Sequence, residues 1–154
     1  MDLISDTVFG ELSFNGSWTK DVELTFLGVT SIVELIVEGN DDNESILDEQ
    51  RDSFRKLKDF ISMAEDAVFA YYQSVCDDYR SRYGDEADAR MPVLSGKTGL
   101  SALTELTGVV VPMVMDSGEI SIGFLPECSW DPEHGLGVKI INGQVEVGAQ
   151  DLLT

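Results

Sequence analysis

Between Gly39 and Gly84 the chain contains neither glycine nor proline, and within that stretch the apolar residues recur by threes and fours. The series runs Phe54, Leu57, Ile61, Ala64, Val68, Tyr71/Tyr72, Val75 and Tyr79, preceded by Leu47. This is the period of an amphipathic helix. Asp, Asn and Ser residues at 41–45 offer N-caps, and Glu44, Asp48 and Glu49 fall where the helix dipole favours negative charge, so a helix is expected from about residue 44. A single globular helix of about forty residues is long; whether it runs unbroken or breaks around Lys56 to Asp59 stays open.

Both sides of this stretch read as strands. TVFGELSF, DVELTFLG and TSIVELIVEG, between 7 and 38, are rich in β-branched and aromatic residues. Val22, Leu24 and Phe26 alternate with Glu23 and Thr25, giving one wet face, so an antiparallel meander is expected to open the fold. Beyond a polar connection, GLSALTELTG reads as a short helix ended by Gly108. GVVVPMVMD, EISIGFLPEC, LGVKIING and QVEVG follow as strands, with turns at Asp116-Ser117-Gly118 and at Asn142-Gly143, the latter a type I′ hairpin signal. The expected fold is α+β in a single domain, 1–154: N- and C-terminal strands form one antiparallel sheet, or two, packed against a long central amphipathic helical region.

Charge narrows the partners. The chain holds 29 acidic and 10 basic residues, net −19, and eight of the bases lie between 51 and 97. Both ends are acidic and the middle is balanced. Such a surface repels nucleic acid and anionic membrane, and it either speeds encounter with a basic protein or serves solubility alone in an acid-rich proteome. No stretch approaches the ~18 apolar residues of a membrane span, and the first twenty residues lack a basic, apolar leader. The expected location is the cytoplasm, where Cys76 and Cys128 would remain reduced.

Four motifs suggest chemistry. SGKTG at 95–99 ends like a phosphate-binding loop, but Met91 stands where the pattern needs glycine. Counted from Asp41, a calcium loop would need glycine where Ile46 stands. AYYQ at 70–73 must turn at least one of Tyr71 and Tyr72 to the core. WDPEHG, residues 130–135, holds the only histidine: Asp131 and Pro132 suit a tight turn, Gly135 can take positive φ, and Trp130 and Leu136 are core anchors on either side. Its functional alternative is a small enzyme in which Glu133 and His134 pair, although no serine or cysteine motif adjoins them. One histidine with two acids is too few for a metal site, and no cofactor is expected.

WDPEHGLGVKIINGQVEVG resembles the C-terminal signature, near W-D-x-E-H-G-L-G-V, of a bacterial family of small acidic domains of unknown function. FGELSFNGSW, Gln50 and AYYQ fall in the order of that family. Some members resemble proteins found beside polymorphic or contact-dependent toxins, which implies an immunity role and a cognate, basic toxin domain as partner. The resemblance supplies no catalytic residues. The candidate partner-binding acids are Glu34, Glu38, Asp41, Asp42, Glu44 and Asp48. The alternative within the inhibitor class is a nucleic-acid mimic that occupies another protein's DNA site.

Overall fold

The computed structural model describes residues 2–39, 46–113 and 118–150. The N-terminal strand patterns become four strands rather than three: β1 (Asp2–Asp6), β2 (Gly10–Phe14), β3 (Trp18–Phe26) and β4 (Val29–Val37). The extra strand arises because TVFG is a turn. Asp6 ends β1 and its carboxylate accepts the N–H groups of Val8 and Phe9 at 2.9 and 3.1 Å, which reverses the chain into β2. Leu27-Gly28 joins β3 to β4 with φ of +52° and +83°, the signs a type I′ turn needs. Leucine is costly in that conformation, by about 1–2 kcal/mol. The position is held by what surrounds it, since Leu27 is buried and its N–H donates to Glu65 at 2.6 Å.

The helical stretch is broken, at Lys56. α1 (Asp48–Arg55) and α2 (Leu57–Tyr83) meet at Lys56, whose ψ of 13° leaves the helical range. The start of α1 lies later than residue 44, and the Asp/Asn/Ser cluster expected to cap it falls outside the described residues. The cap is instead reached from inside the helix, because the side chain of Gln50 accepts the Leu47 N–H at 3.0 Å. α2 buries Phe60, Ala64, Val68, Tyr72 and Cys76, one residue per turn. Tyr72 is thus the member of AYYQ that faces the core, and its hydroxyl donates to the Pro92 carbonyl at 2.5 Å.

After a short α3 (Ala87–Arg90), a 3₁₀ turn covers Lys97–Ala102 and β5 begins at Thr104. The helix expected to run to Gly108 therefore stops at Ala102. Thr104 to Leu106 pair with Cys128 to Pro126, and a bulge between Leu106 and Gly108 restores the inward facing of Val109 and Val111. β6 (Ser121–Cys128), β7 (Gly137–Ile141) and β8 (Gln144–Gly148) complete the sheet. Asn142 and Gly143, at φ of +49° and +83°, make the expected hairpin.

The eight strands lie side by side in chain order, and all neighbours are antiparallel except β4 and β5. Parallel neighbours need a long crossover, which α1, α2 and α3 supply. One face of the sheet meets the helices. Its cross-strand rows include Leu35, Val109, Phe124, Val138 and Val147, then Trp18, Val37 and Val111. With the inner side of α2 these make one hydrophobic core. Among the described residues no helix is long and apolar enough to cross a membrane.

A buried ion pair ties the first hairpin to α1. Arg51 donates from Nε and Nη2 to Asp6 at 2.9 and 2.7 Å, and the Asp6 side chain is 5% exposed. Burial pushes the Asp6 pKa up, but the hydrogen bonds from Arg51 and from the Val8 and Phe9 N–H groups outweigh it and hold the carboxyl below the ordinary aspartate value. A depressed folded-state pKa adds stability above the unfolded value and loses it as pH falls through the folded value. Acid titration below about pH 4 is therefore expected to unfold the wild type more steeply than Asp6→Asn. Parallel acid curves for the two would contradict this.

Candidate functional site

Two regions can carry function, the WDPEHG turn and the sheet face turned away from the helices. The turn is built from its first residue. Asp131 O accepts the Gly135 N–H at 2.9 Å, and Asp131 Oδ1 lies 2.9 Å from His134 Nδ1. Its other oxygen accepts the Tyr79 hydroxyl of α2 at 3.2 Å. Gly135 has φ of +64°, a conformation that favours glycine, and a Cβ there would come within 2.6 Å of the Gln150 side chain, which would have to shift. Trp130 is buried edge-on against Tyr72, with ring centroids 4.8 Å apart, and its carbonyl accepts the Tyr83 hydroxyl.

The structure joins His134 to Asp131 rather than to Glu133. Glu133 is exposed, and the His134 side chain is 65% exposed. A concavity of about 350 Å³ adjoins the turn through Pro132, Ser129 and Glu127, but neither Glu133 nor His134 lines it. Burial pushes Cys128 up to about 11 and also raises Cys76, so both thiols stay protonated at neutral pH. The two are free, buried cysteines. Burial, then the Asp131 charge, raises Tyr79 to about 12, so its hydroxyl stays a donor to the turn. Among the described residues no three His, Cys, Asp or Glu side chains converge as metal ligands would. Replacing His134 with Gln removes the contact to Asp131 at a solvent-facing position, and stability is expected to fall by less than about 1 kcal/mol in urea melts. A loss of about 2 kcal/mol or more would mean that the turn depends on the imidazole.

The second region is a surface that no described element covers. Register places Leu3, Ser13, Thr19, Ile36, Val110, Gly123, Lys139 and Glu146 in one row across all eight strands. Two residues along, Asp21, Glu34, Gly108 and Leu125 form a second row. Glu23 and Ile32 stand opposite each other beyond it, as do Glu105 and Glu127. Ile36, Val110 and Leu125 make a half-buried apolar centre, while Ile32 and Leu3 are 64% and 61% exposed. Gly108 keeps the middle low: a Cβ there would come 3.1 Å from the Leu125 side chain.

Charge on this face is unbalanced. Asp21 opposes Glu34 and Glu105 opposes Glu127 directly across paired strands, an arrangement that costs stability. Among the described residues no ion pair relieves Asp21, Glu23, Glu34, Glu105, Glu127 or Glu146. Lys139 is the one base that the described strands place here. Arg51, Arg55, Arg80, Arg82, Arg90 and Lys97 are engaged with nearby acids on the helical side. Lys20 points inward and donates to the Phe9 carbonyl at 2.6 Å.

The candidate partner-binding acids separate accordingly. Glu34 is on the open face. Glu38 lies past the end of β4, where its carboxylate accepts the Met113 N–H at 3.3 Å and its carbonyl accepts the Gln50 amide at 2.9 Å. Asp48 is in the first turn of α1, ion-paired with Arg51 at 2.8 Å. Asp41, Asp42 and Glu44 fall outside the described residues. Glu34 and Asp48 therefore stand on opposite sides of the sheet. The sequence reading missed Asp21, Glu23, Glu105, Glu127 and Glu146 as companions of Glu34. The alternation in β3 was the available signal; β4 obscures it because Ile32 and Ile36 are apolar on the wet side.

The class this defines is an α+β domain with one sheet, a helical layer on one face and an open, carboxylate-rich opposite face. The chain belongs to a family described as a domain of unknown function (DUF6985), whose family model matches residues 8–154. No curated protein and no solved structure matches the chain.

Proposed function

We propose that this chain is a non-enzymatic acidic binding protein of the immunity type, which neutralises a cognate basic bacterial toxin by occluding it. The observation that supports this reading is the segregation of charge. Six of the bases are engaged on the helical side, while like-charged pairs stand opposed and unrelieved on the open sheet face. Opposed carboxylates cost stability in the free protein, and that cost is recovered only when cations from another molecule arrive. Complementary charge also raises the association rate and disfavours wrong partners. A nucleic-acid mimic has less support, because Ile32, Ile36, Val110 and Leu125 interrupt the carboxylates where such a mimic would carry a continuous charged track.

The test is affinity capture by the tagged protein from lysate of its own host, washed at low and then high salt, with bound proteins identified by mass spectrometry. One stoichiometric basic partner, released as salt rises, is the expected result, and the isolated partner's toxicity should be abolished when the two are mixed. An acidic or neutral partner held equally at both salts would remove the charge argument. A basic partner whose activity survives complex formation would remove the immunity role.

A further inference from the structure

Resting on that reading of the chain as a binder of a basic partner, we propose that the docking site is the open face of β3 to β6, and that its occupant is a basic amphipathic element of the partner. Its apolar side chains would cover Ile36, Val110 and Leu125, and its lysines or arginines would reach Asp21, Glu34, Glu105 and Glu127.

The face has the anatomy of an interface, an apolar centre with a polar rim. Ile36 pairs with Val110, and Val110 with Gly123, so the apolar row crosses three adjacent strands. That is about 10 Å at the usual strand spacing. Glu34 lies two residues along β4 from Ile36, about 7 Å away, and Asp21 stands opposite it. On β5 and β6 the carboxylates of Glu105 and Glu127 extend the same side of the row. The acids are thus gathered along one side of an apolar strip rather than scattered around it. This matches a helix lying across the strands with leucine-like residues beneath and cations along one edge.

Charge decides among possible occupants. A second copy of this chain stacked face to face would set these carboxylates against one another, and a nucleic acid would bring phosphates to them. A cationic element alone converts the opposed pairs into bridged ones. Gly108 contributes shape, since any side chain there would displace Leu125.

The experiment is an NMR titration of the full chain with two synthetic probes: a fourteen-residue amphipathic peptide of leucine and lysine, and its leucine and glutamate counterpart. Binding of the lysine peptide alone, weakened by salt, is expected, with shift changes centred on Ile36, Val110 and Leu125. The double variant Glu34→Lys/Glu127→Lys turns each opposed like-charge pair into an opposite-charge pair, so it should melt no lower than the wild type. It is nevertheless expected to bind the lysine peptide about tenfold or more weakly. Arg55→Glu, on the helical side, should leave the affinity within about twofold. Salt-sensitive binding whose shift changes fall on α1 and α2 would overturn this docking site while leaving the acidic-binder reading intact. No binding of the lysine peptide would overturn both. Equal binding of the glutamate peptide would overturn the charge rule and with it the choice of occupant.

Discussion

Trp130→Ala is expected to destabilise the protein by about 3–5 kcal/mol, the range for emptying a large aromatic site in a core. Trp130 is 1% exposed, sits edge-on to Tyr72 and anchors the WDPEHG turn, while its carbonyl receives the Tyr83 hydroxyl. Removing the indole vacates the contact between the turn and Tyr72 of α2. Trp130→Phe keeps an aromatic edge against Tyr72 and is expected to cost about half as much. Urea unfolding followed by far-UV circular dichroism measures both. A midpoint for Trp130→Ala within error of the wild type would show that the turn is not part of the cooperative core.

Gln50→Leu is expected to cost about 2–4 kcal/mol, although the side chain is similar in size and more apolar. Gln50 is 1% exposed and works at both ends of its amide. Its oxygen accepts the Leu47 N–H at 3.0 Å, while its nitrogen donates to the Glu38 and Val111 carbonyls at 2.9 and 3.2 Å. Those carbonyls lie at the ends of the parallel pair β4 and β5, so one amide seals the crossover and starts α1. Val111 O keeps a second donor, the Glu38 N–H at 3.0 Å. The orphaned groups in the variant are therefore chiefly Leu47 N–H and Glu38 O, and a buried unsatisfied polar group is costly. The loss should appear first as faster hydrogen exchange in α1, before global unfolding. Gln50→Glu tests the same point from the other side. Its carboxylate would face two carbonyl oxygens, so the variant is expected to be destabilised more as pH rises. A stable Gln50→Leu protein with unchanged exchange in α1 would contradict the role assigned to the amide.

The open face bears on how function and stability are balanced. Asp21 against Glu34 and Glu105 against Glu127 are unfavourable in the free chain. A sheet selected for stability alone would alternate the signs, as Lys139 and Glu146 do across β7 and β8. The stabilising changes are thus the ones expected to weaken binding, which makes the charge pattern separable from the fold by mutation.

Legibility differed by residue, for reasons of range. The helix from 57 to 83 could be read because each inward residue lies one turn from the next, within a local window. Asn142-Gly143 could be read because the turn geometry depends on two residues. Length alone leaves the break at Lys56 open. By contrast, β1 was missed because Asp6 makes its turn with help from Arg51, 45 residues away. Thr104 to Thr107 looked helical because only these four residues alternate before the bulge shifts the phase for Val109 and Val111, and the pairing that makes them strand lies on β6. In the WDPEHG turn, Asp131 and His134 are three residues apart, yet choosing Asp131 over Glu133 as the partner of His134 required the side-chain directions that only the folded turn sets.

The sequence by itself determined the order of a strand group, a helical stretch and a second strand group, the hairpin at 142–143 and the excess of acid, since each rests on local period or on composition. Only the tertiary structure decided that β4 and β5 pair in parallel, that one side of an eight-stranded sheet is covered and the other is not, and that Glu34 keeps company with Asp21 and Glu127 rather than with Asp48. Those outcomes depend on contacts between residues far apart in the chain. Burial chooses among them cooperatively, by which registers put the apolar rows beneath the helices, and no short window of sequence contains that choice.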